Sequence, residues 1–384
     1  MEQRISGRYV ITHSYNENVK AFIPFALPPG SPELAVDSYR ALNHRAELAI
    51  ARLSGMTGLV MSGEWLIYSA IRREALLTSQ LEGTQATLND VFDNEAGLTV
   101  ANADDVEEVT NYLQAFKFIR EQIHSPVGLP VSVRLLTEAH KILLKGVRGA
   151  SKQPGAVRTT QNWVGGTRPG NAAYVPPPPE EVINLLSDLE LYIHDKQSGL
   201  PPLVRIALIH AQFETIHPFL DGNGRIGRLL IAMLLEEWQL LPEPLLYMSG
   251  YLKAHQTEYY RRLSRLRDSG DWESWVVFFL KGVEAAAEEA QRSIVQIASL
   301  IARDRKKILY AEPVTLQAFR LFELLPTMPK VSVERAQAEL GVTFPTANAA
   351  VKALVKAGIL VETTGRTRGK TFLYQAYVNL LLEG

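Results

Sequence analysis

The sequence predicts a mainly α-helical protein, and three observations carry that reading. Apolar residues recur at helical spacing through long stretches such as Glu64 to Leu81 and Trp272 to Tyr310. A strip of glycine, arginine and acid, His217 to Arg228, separates two further helical patterns. Beyond Glu312-Pro313, three short amphipathic segments precede a β-favouring hairpin pattern. A chain of 384 residues exceeds what one core normally organises. The expected division is a helical N-terminal region over 1–100, a central domain over 101–311 and a small domain over 312–384.

Residues 1 to about 36 read as irregular, because Pro24, Pro28, Pro29 and Pro32 break any long helix. Helices are expected over Asp37 to Leu53, Glu64 to Leu81, Val106 to Gln122 and Val131 to Lys145. From Arg158 to Val175, β-favouring residues surround Gly-rich turns and predict a hairpin, with Pro176 to Pro179 as an extended return. Pro179 to His194 is helical again. The apolar spacing of Pro202 to Phe213 predicts a helix that Pro218 stops near His217, and Leu229 to Leu235 continues as the next. Trp272 to Tyr310 reads as one or two long helices, with Glu284 to Ala290 strong in helix propensity. Leu316 to Leu325, Val333 to Leu340 and Pro345 to Ala357 form three short helices punctuated by Gly341 and Gly358; Ile359 to Tyr374 follows as a two-stranded hairpin.

Composition excludes several classes of function. Zero cysteines rule out disulfides and cysteine-ligated zinc, and the eight histidines show no metal-ligand spacing. No apolar run approaches membrane-spanning length and the N-terminus lacks an apolar signal region, so no membrane partner is expected and the cytoplasm is the default location. A formal net charge of -1 favours no polyanionic partner for the whole molecule.

The chemistry concentrates in His217-Pro218-Phe219-Leu220-Asp221-Gly222-Asn223-Gly224-Arg225-Ile226-Gly227-Arg228. A Gly-Asn-Gly turn lets the backbone approach a ligand before a helix opens, and the unpaired N–H groups of that helix start form an anion site. Arg225 and Arg228, three apart, share one face of the first turn and suit separate phosphates. Asp221 would repel bare anions, but with Mg²⁺ between carboxylate and phosphate it makes sense. His217 has an unperturbed pKa near neutrality and suits the removal of a proton from an attacking hydroxyl.

This strip resembles the signature of the Fic family, His-Pro-Phe-x-(Asp/Glu)-Gly-Asn-Gly-Arg-x-x-Arg, at every specified position. The resemblance implies a Fic-type helical core and transfer of AMP from ATP to a Ser, Thr or Tyr hydroxyl of a target protein, releasing diphosphate. It makes His217 the general base, Asp221 the Mg²⁺ ligand, and Asn223 with the amides of Gly222, Gly224 and Gly227 the phosphate cradle. Arg225 and Arg228 would hold the distal phosphates. Upstream, Thr78-x-x-x-Glu82-Gly83 resembles the family's inhibitory motif, (Ser/Thr)-x-x-x-Glu-(Gly/Asn), whose glutamate is expected to pair with Arg228 and put negative charge where the γ-phosphate belongs. Read without the resemblance, Glu82-Gly83 is a helix ending on a glycine cap.

The Arg158 to Val175 hairpin resembles the Fic flap, with Val164 and Gly165 its points of contact with nucleotide. The resemblance also places the adenine beside Tyr251, Tyr259 or Tyr260. The C-terminal pattern resembles a winged helix. Pro313 to Gly384 holds eight basic and five acidic residues, a net of +3, and the wing tip carries Arg366, Arg368 and Lys370. Thr343, Thr346 and Asn348 would face bases if this domain met DNA; a protein-interaction or dimerisation domain is the alternative. Auto-modification and homodimerisation stay open. Two further functional readings stay open as well: a DNA-binding regulator that senses nucleotide through its core, and removal of AMP from a modified protein with Glu82 orienting water.

Overall fold

The computed structural model describes residues 4–56, 64–310, 315–366 and 369–383. The N-terminal stretch, expected to be irregular, opens instead with a hairpin: β1 (Gly7–Ser14) pairs antiparallel with β2 (Glu17–Pro24). Its two-residue turn, Tyr15-Asn16, takes positive φ at both positions, the twist that closes a hairpin. That turn lacks the glycine that usually announces it, and the prolines after Pro24 dominate the local pattern.

Helices α1 (Arg40–Met56), α2 (Glu64–Leu81), α3 (Leu88–Glu95), α4 (Ala103–His124) and α5 (Val133–Leu143) follow. The sequence reading missed α3, although it carries a reciprocal cap: Asp90 N–H donates to Thr87 Oγ1 at 3.2 Å and Thr87 N–H donates back to Asp90 Oδ2 at 2.8 Å. Then come α6 (Pro179–His194), α7 (Pro202–Ile216), α8 (Asn223–Glu237), α9 (Met248–Ala254), α10 (Gln256–Ser269) and α11 (Trp272–Leu309). The last is a single helix of 38 residues.

From Ile206 to Ile216 every residue of α7 is buried, so this helix forms the axis of the molecule. Helices α8 and α11 flank it, and the Trp275 indole N–H of α11 donates to the Ala207 carbonyl at 2.8 Å. A helix buried all round needs apolar residues on every face, and Leu203-Val204 and Ile206-Ala207-Leu208-Ile209 supply them. Among the described residues no helix is long and apolar enough to cross a membrane.

The C-terminal part contains α12 (Leu316–Leu324), β3 (Lys330–Ser332), α13 (Val333–Leu340), α14 (Phe344–Lys356), β4 (Val361–Glu362), β5 (Thr371–Leu373) and α15 (Gln375–Glu383). The three expected helices and the hairpin are present. The sequence reading missed β3, which makes the hairpin a three-stranded sheet of order β3-β5-β4, and α15. The expected boundary at Glu312-Pro313 and the wing residue Arg368 lie outside the described residues.

Candidate functional site

The end of α7 sets the position of His217. Pro218 cannot continue the helix, and His217 caps it in the left-handed conformation at φ 50° while its N–H bonds to the Phe213 carbonyl. The His217 Nδ1 lies 3.3 Å from the Glu214 carbonyl, which can only accept. Nδ1 therefore carries the proton, and Nε2 keeps its lone pair. Burial pulls the imidazole down to about 4, so it is neutral at physiological pH.

Side chains that the sequence reading did not select hold the turn after His217. Arg158, almost fully buried, donates to the carbonyls of His217 at 2.9 Å, Pro177 at 2.6 Å and Ile216 at 3.4 Å. Asn162 Nδ2 donates to the carbonyls of His217 and Phe219. His140 stacks on Phe219, accepts the Gly155 N–H at Nδ1, and so donates from Nε2 to the Asp221 carbonyl at 3.0 Å. Arg158 and Asn162 stand in the flap segment and His140 on α5, so no local pattern links them to residues 217–221. The one legible signal is a cluster of hydrogen-bonding side chains just before the Gly-rich turn.

Helix α8 opens at Asn223 after Gly222, whose φ of 76° suits glycine. The Asn223 side chain is committed to the loop: its Oδ1 accepts the Phe219 N–H and its Nδ2 donates to the Phe219 carbonyl, both at 2.8 Å. Asn223 thus shapes the turn that leads into α8.

The two arginines do not act as a pair on one face. Arg225 turns toward α4, where its NH1 meets Glu108 Oε2 at 2.9 Å, and it lies 3.6 Å from Asp221. Arg228 turns toward α2: its Nε donates to Thr78 Oγ1 at 2.6 Å and its NH2 to Glu82 Oε1 at 2.6 Å and the Thr78 carbonyl at 3.1 Å. Residues three apart diverge by about 60° around a helix, enough for two different helices to claim them. Burial pushes the Glu82 carboxyl up, but Arg228, with Arg225 adding to it, pulls it down and the net shift is down. Glu82 is therefore a carboxylate, closed against its guanidinium.

Gly224 permits this approach. A Cβ there would fall 2.3 Å from Glu82 Oε1 and 2.8 Å from Arg228 NH1. Gly227 does the same for Glu214, whose Oε1 would lie 2.4 Å from such a Cβ. Glu214, absent from the sequence reading, is buried beside His217, and burial raises its carboxyl to about 7.

His217, Gly224, Arg228, Glu82 and Glu214 line one cleft of about 560 Å³. Its opposite wall is Trp163, Val164, Gly165, Ala173 and Tyr174, so the flap residues singled out in the sequence do reach the site. The flap hairpin is minimal: Val164 and Tyr174 exchange two backbone hydrogen bonds, at 2.9 and 3.1 Å. The N-terminal hairpin braces it. Phe22 N–H donates to the Val175 carbonyl at 3.0 Å, Glu17 pairs with Arg168 and accepts the Gly170 N–H, and Val19 and Ala21 bury Val175.

Tyr259 and Tyr260 line the cleft, with the Tyr259 hydroxyl held by His210 at 3.0 Å. Tyr251 does not. It stacks on His255 and packs over Gly282 of α11, lining a different depression, so the expectation that it faces the nucleotide is corrected. A tyrosine on the short helix α9 looks equivalent to its neighbours in sequence; only the packing of α9 against α11 decides which way it points.

Asp221 fits the role of a lone carboxylate ligand. Its side chain is one-third exposed, Oδ1 accepts the Gly222 N–H at 2.6 Å, and Oδ2 faces Gly149, where a Cβ would intrude to 2.7 Å. Among the described residues no group of three His, Cys, Asp or Glu could hold a metal ion. A Mg²⁺ held by one carboxylate must take its remaining ligands from substrate phosphates and water.

Residues 130–235 match the model of the Fic/DOC family, and residues 40–118 match that of the Fic/DOC family N-terminal region. Two stretches of the chain thus match Fic/DOC family models. The protein adenylyltransferase Fic of Drosophila grimshawi is 29% identical over 207 residues, 52% of this chain and 38% of that protein. The protein adenylyltransferase fic-1 of Caenorhabditis elegans is 28% identical over 182 residues, 47% of this chain and 33% of the relative. The match thus spans 33 to 38% of the length of these curated relatives. Among solved structures, a Fic family protein from Desulfovibrio desulfuricans superposes with a TM-score of 0.60 at 21% identity, covering 90% of this chain and 98% of that one. Fic-1 from C. elegans, residues 134–508, superposes with a TM-score of 0.52 at 22% identity, covering 68% and 75%. These likenesses show that the fold is the Fic fold.

Proposed function

We propose that this Fic protein transfers AMP from ATP to a hydroxyl side chain of a target protein and that Glu82 holds it inactive at rest. The observation that carries the reading is one cleft in which a neutral His217 with Nε2 unprotonated, the start of α8 and Arg228 stand together. Two catalogued relatives named protein adenylyltransferase support the same chemistry. The hydroxyl oxygen bonds to the α-phosphorus as the bond to the bridging oxygen of the β-phosphate breaks, His217 Nε2 takes the hydroxyl proton, and diphosphate leaves. Backbone amides at the start of α8 neutralise charge on the phosphates, and Arg228, once freed from Glu82, would hold the γ-phosphate. Asp221 would hold Mg²⁺, which supplies charge neutralisation on the phosphates when bound. Tyr259 and Tyr260 wall the side of the cleft where the base would sit.

Incubation with α-labelled and γ-labelled ATP in parallel tests the reaction. Transfer of the α label alone is expected. Transfer of the γ label alone would mean a kinase and sink the proposal.

The neutral state of His217 gives a pH prediction. With its pKa pulled by burial to about 4, the base form persists as pH falls, until the imidazole protonates near that value. The acid limb of kcat/KM for AMP transfer is therefore expected at or below about pH 4 in a Glu82→Gly protein, which has lost the Glu82 charge that raises the imidazole, not near the ordinary histidine value of about 6.5. A limb at 6.5 would remove His217 as the base or show it solvated in the active state.

A second function is favoured by the C-terminal part. Its arrangement supports a winged helix, and the outward face of α14 exposes Thr343, Thr346 and Lys352, with Arg366 and Lys370 exposed on the wing. Helix α14 has no acidic residue. We propose that this face meets DNA phosphates. Binding of duplex DNA by the full chain should weaken steeply with salt, and reversing Lys352, Arg366 and Lys370 to Glu should abolish it; equal affinity before and after reversal would refute it.

A further inference from the structure

Glu82 blocks Arg228 only if the end of α2 stays seated, and the groups that seat α2 extend well beyond the cleft. Away from the residues that line the cleft, α2 meets the C-terminal segment. Tyr377 of α15 is fully buried beside Tyr68, Ser69 and Arg72 of α2, and its hydroxyl donates to the Pro326 carbonyl at 3.0 Å. Leu380 and Leu381 share an apolar crevice with Leu66 and Ala70. The same segment also holds the chain just after the inhibitory motif. Lys330 of β3 pairs with Asp93 of α3, and the Arg335 guanidinium of α13 donates to the Glu95 carbonyl. Glu95 closes the loop: its carboxylate accepts from the Tyr68 hydroxyl at 2.5 Å and from Arg72 Nε at 2.8 Å, both on α2.

Helix α2 and helix α3 therefore form one unit with Thr78 to Gly83 at its bend, and both arms of the unit are fastened to the C-terminal segment. That segment is in turn anchored to α11, through the Tyr374 hydroxyl on Asp304 at 2.9 Å and Arg305 on Glu323 at 2.7 Å. An 18-residue helix is a rod of about 27 Å, so a tilt at its fastened end displaces Glu82 at the other. Links of this kind, a few ion pairs and one carbonyl contact at the edge of an apolar seam, can be given up without unfolding the core on either side. None of these residues touches the cleft, and the proposed AMP transfer does not need them.

We propose that the C-terminal segment α12–α15 is the latch of the inhibitory unit: it holds the α2–α3 bend so that Glu82 stays on Arg228, and loosening it activates the enzyme. The proposal rests on the reading of the Glu82–Arg228 pair as inhibitory, and its test separates the two.

The 384-residue chain with Lys330→Glu and Arg335→Glu together is compared with wild type, with Glu82→Gly and with the triple variant. Two readouts are taken: incorporation of α-labelled AMP, and amide hydrogen exchange over residues 78–86. The latch predicts about a fivefold rise in labelling, faster exchange over 78–86 with exchange in α7 unchanged, and no further rise when Glu82→Gly is already present. A paired swap, Asp93→Lys with Lys330→Asp, should return both readouts toward wild type. Unchanged exchange over 78–86 in a protein that still melts cooperatively would overturn the latch. So would an equal rise in the Glu82→Gly background, because the effect would then not pass through Glu82. If Glu82→Gly itself transfers no AMP, the adenylylation reading fails, and the exchange result alone decides whether α12–α15 holds the bend.

Discussion

Replacing Glu82 by glycine is expected to raise AMP transfer and auto-modification on the order of a hundredfold. The reason lies in the contacts of Arg228. Among the described residues its hydrogen bonds go to α2, to Thr78 and Glu82, and the guanidinium is buried. Removing one partner of a buried ion pair leaves the other charge uncompensated, at a cost of about 3–5 kcal/mol. In the variant the anion best placed to restore that balance is a γ-phosphate. ATP then gains what the pair lost, and it gains it in the pose that presents the α-phosphate to His217. A gain of about 3 kcal/mol corresponds to somewhat more than a hundredfold. Initial rates at saturating Mg-ATP measure it; a rate equal to wild type would remove Glu82 from control of the site. The variant also clears the space into which a Cβ at Gly224 would collide, so Glu82→Gly should tolerate Gly224→Ala better than the parent does.

Replacing His217 by alanine is expected to abolish transfer in the Glu82→Gly background while leaving ATP binding within about a factor of two. General-base catalysis contributes about 10²–10⁴-fold, and among the described residues lining the cleft no other side chain is a neutral nitrogen base near physiological pH. Glu214, its carboxyl raised to about 7, is the nearest rival. It approaches Gly227 and has no partner on Oε1 among the described residues, so residual activity that rises with pH through 7 in His217→Ala would assign the base role to Glu214. A binding measurement by calorimetry separates loss of chemistry from loss of the site. Weak binding in His217→Ala would mean that the histidine shapes the turn rather than acting on the substrate.

Much of the site was legible because its parts are consecutive. The turn from His217 to Arg228 needs glycines for backbone approach, a proline to stop α7 and arginines in the first two turns of α8; chain neighbours supply all of these within a dozen residues. The helices α2, α6 and α13 were legible to the residue because their apolar spacing and end residues agree. The N-terminal hairpin was not, since its turn has no glycine and its strands are stabilised by packing on the flap. Strand β3 and helix α15 were missed for a related reason. A three-residue strand and a nine-residue helix are defined by what they lie against, not by their own periodicity.

The sequence by itself determined the fold class and singled out a candidate phosphate-binding turn and a candidate base, because residue types and their spacing along one backbone are the whole requirement for those readings. The candidate inhibitory glutamate came from the resemblance of Thr78 to Gly83 to the Fic motif, since the residues alone read as a capped helix end. Only the tertiary structure decided how the residues are shared out. It sends Arg225 to Glu108 and Arg228 to Glu82, takes Tyr251 out of the cleft, brings Arg158, Asn162 and His140 to the turn, and fastens α2 and α3 to the C-terminal segment. Each of those outcomes joins residues distant in the chain. Whether two such side chains meet depends on the relative placement of whole helices, which the packing of the common core sets and no short stretch of sequence encodes.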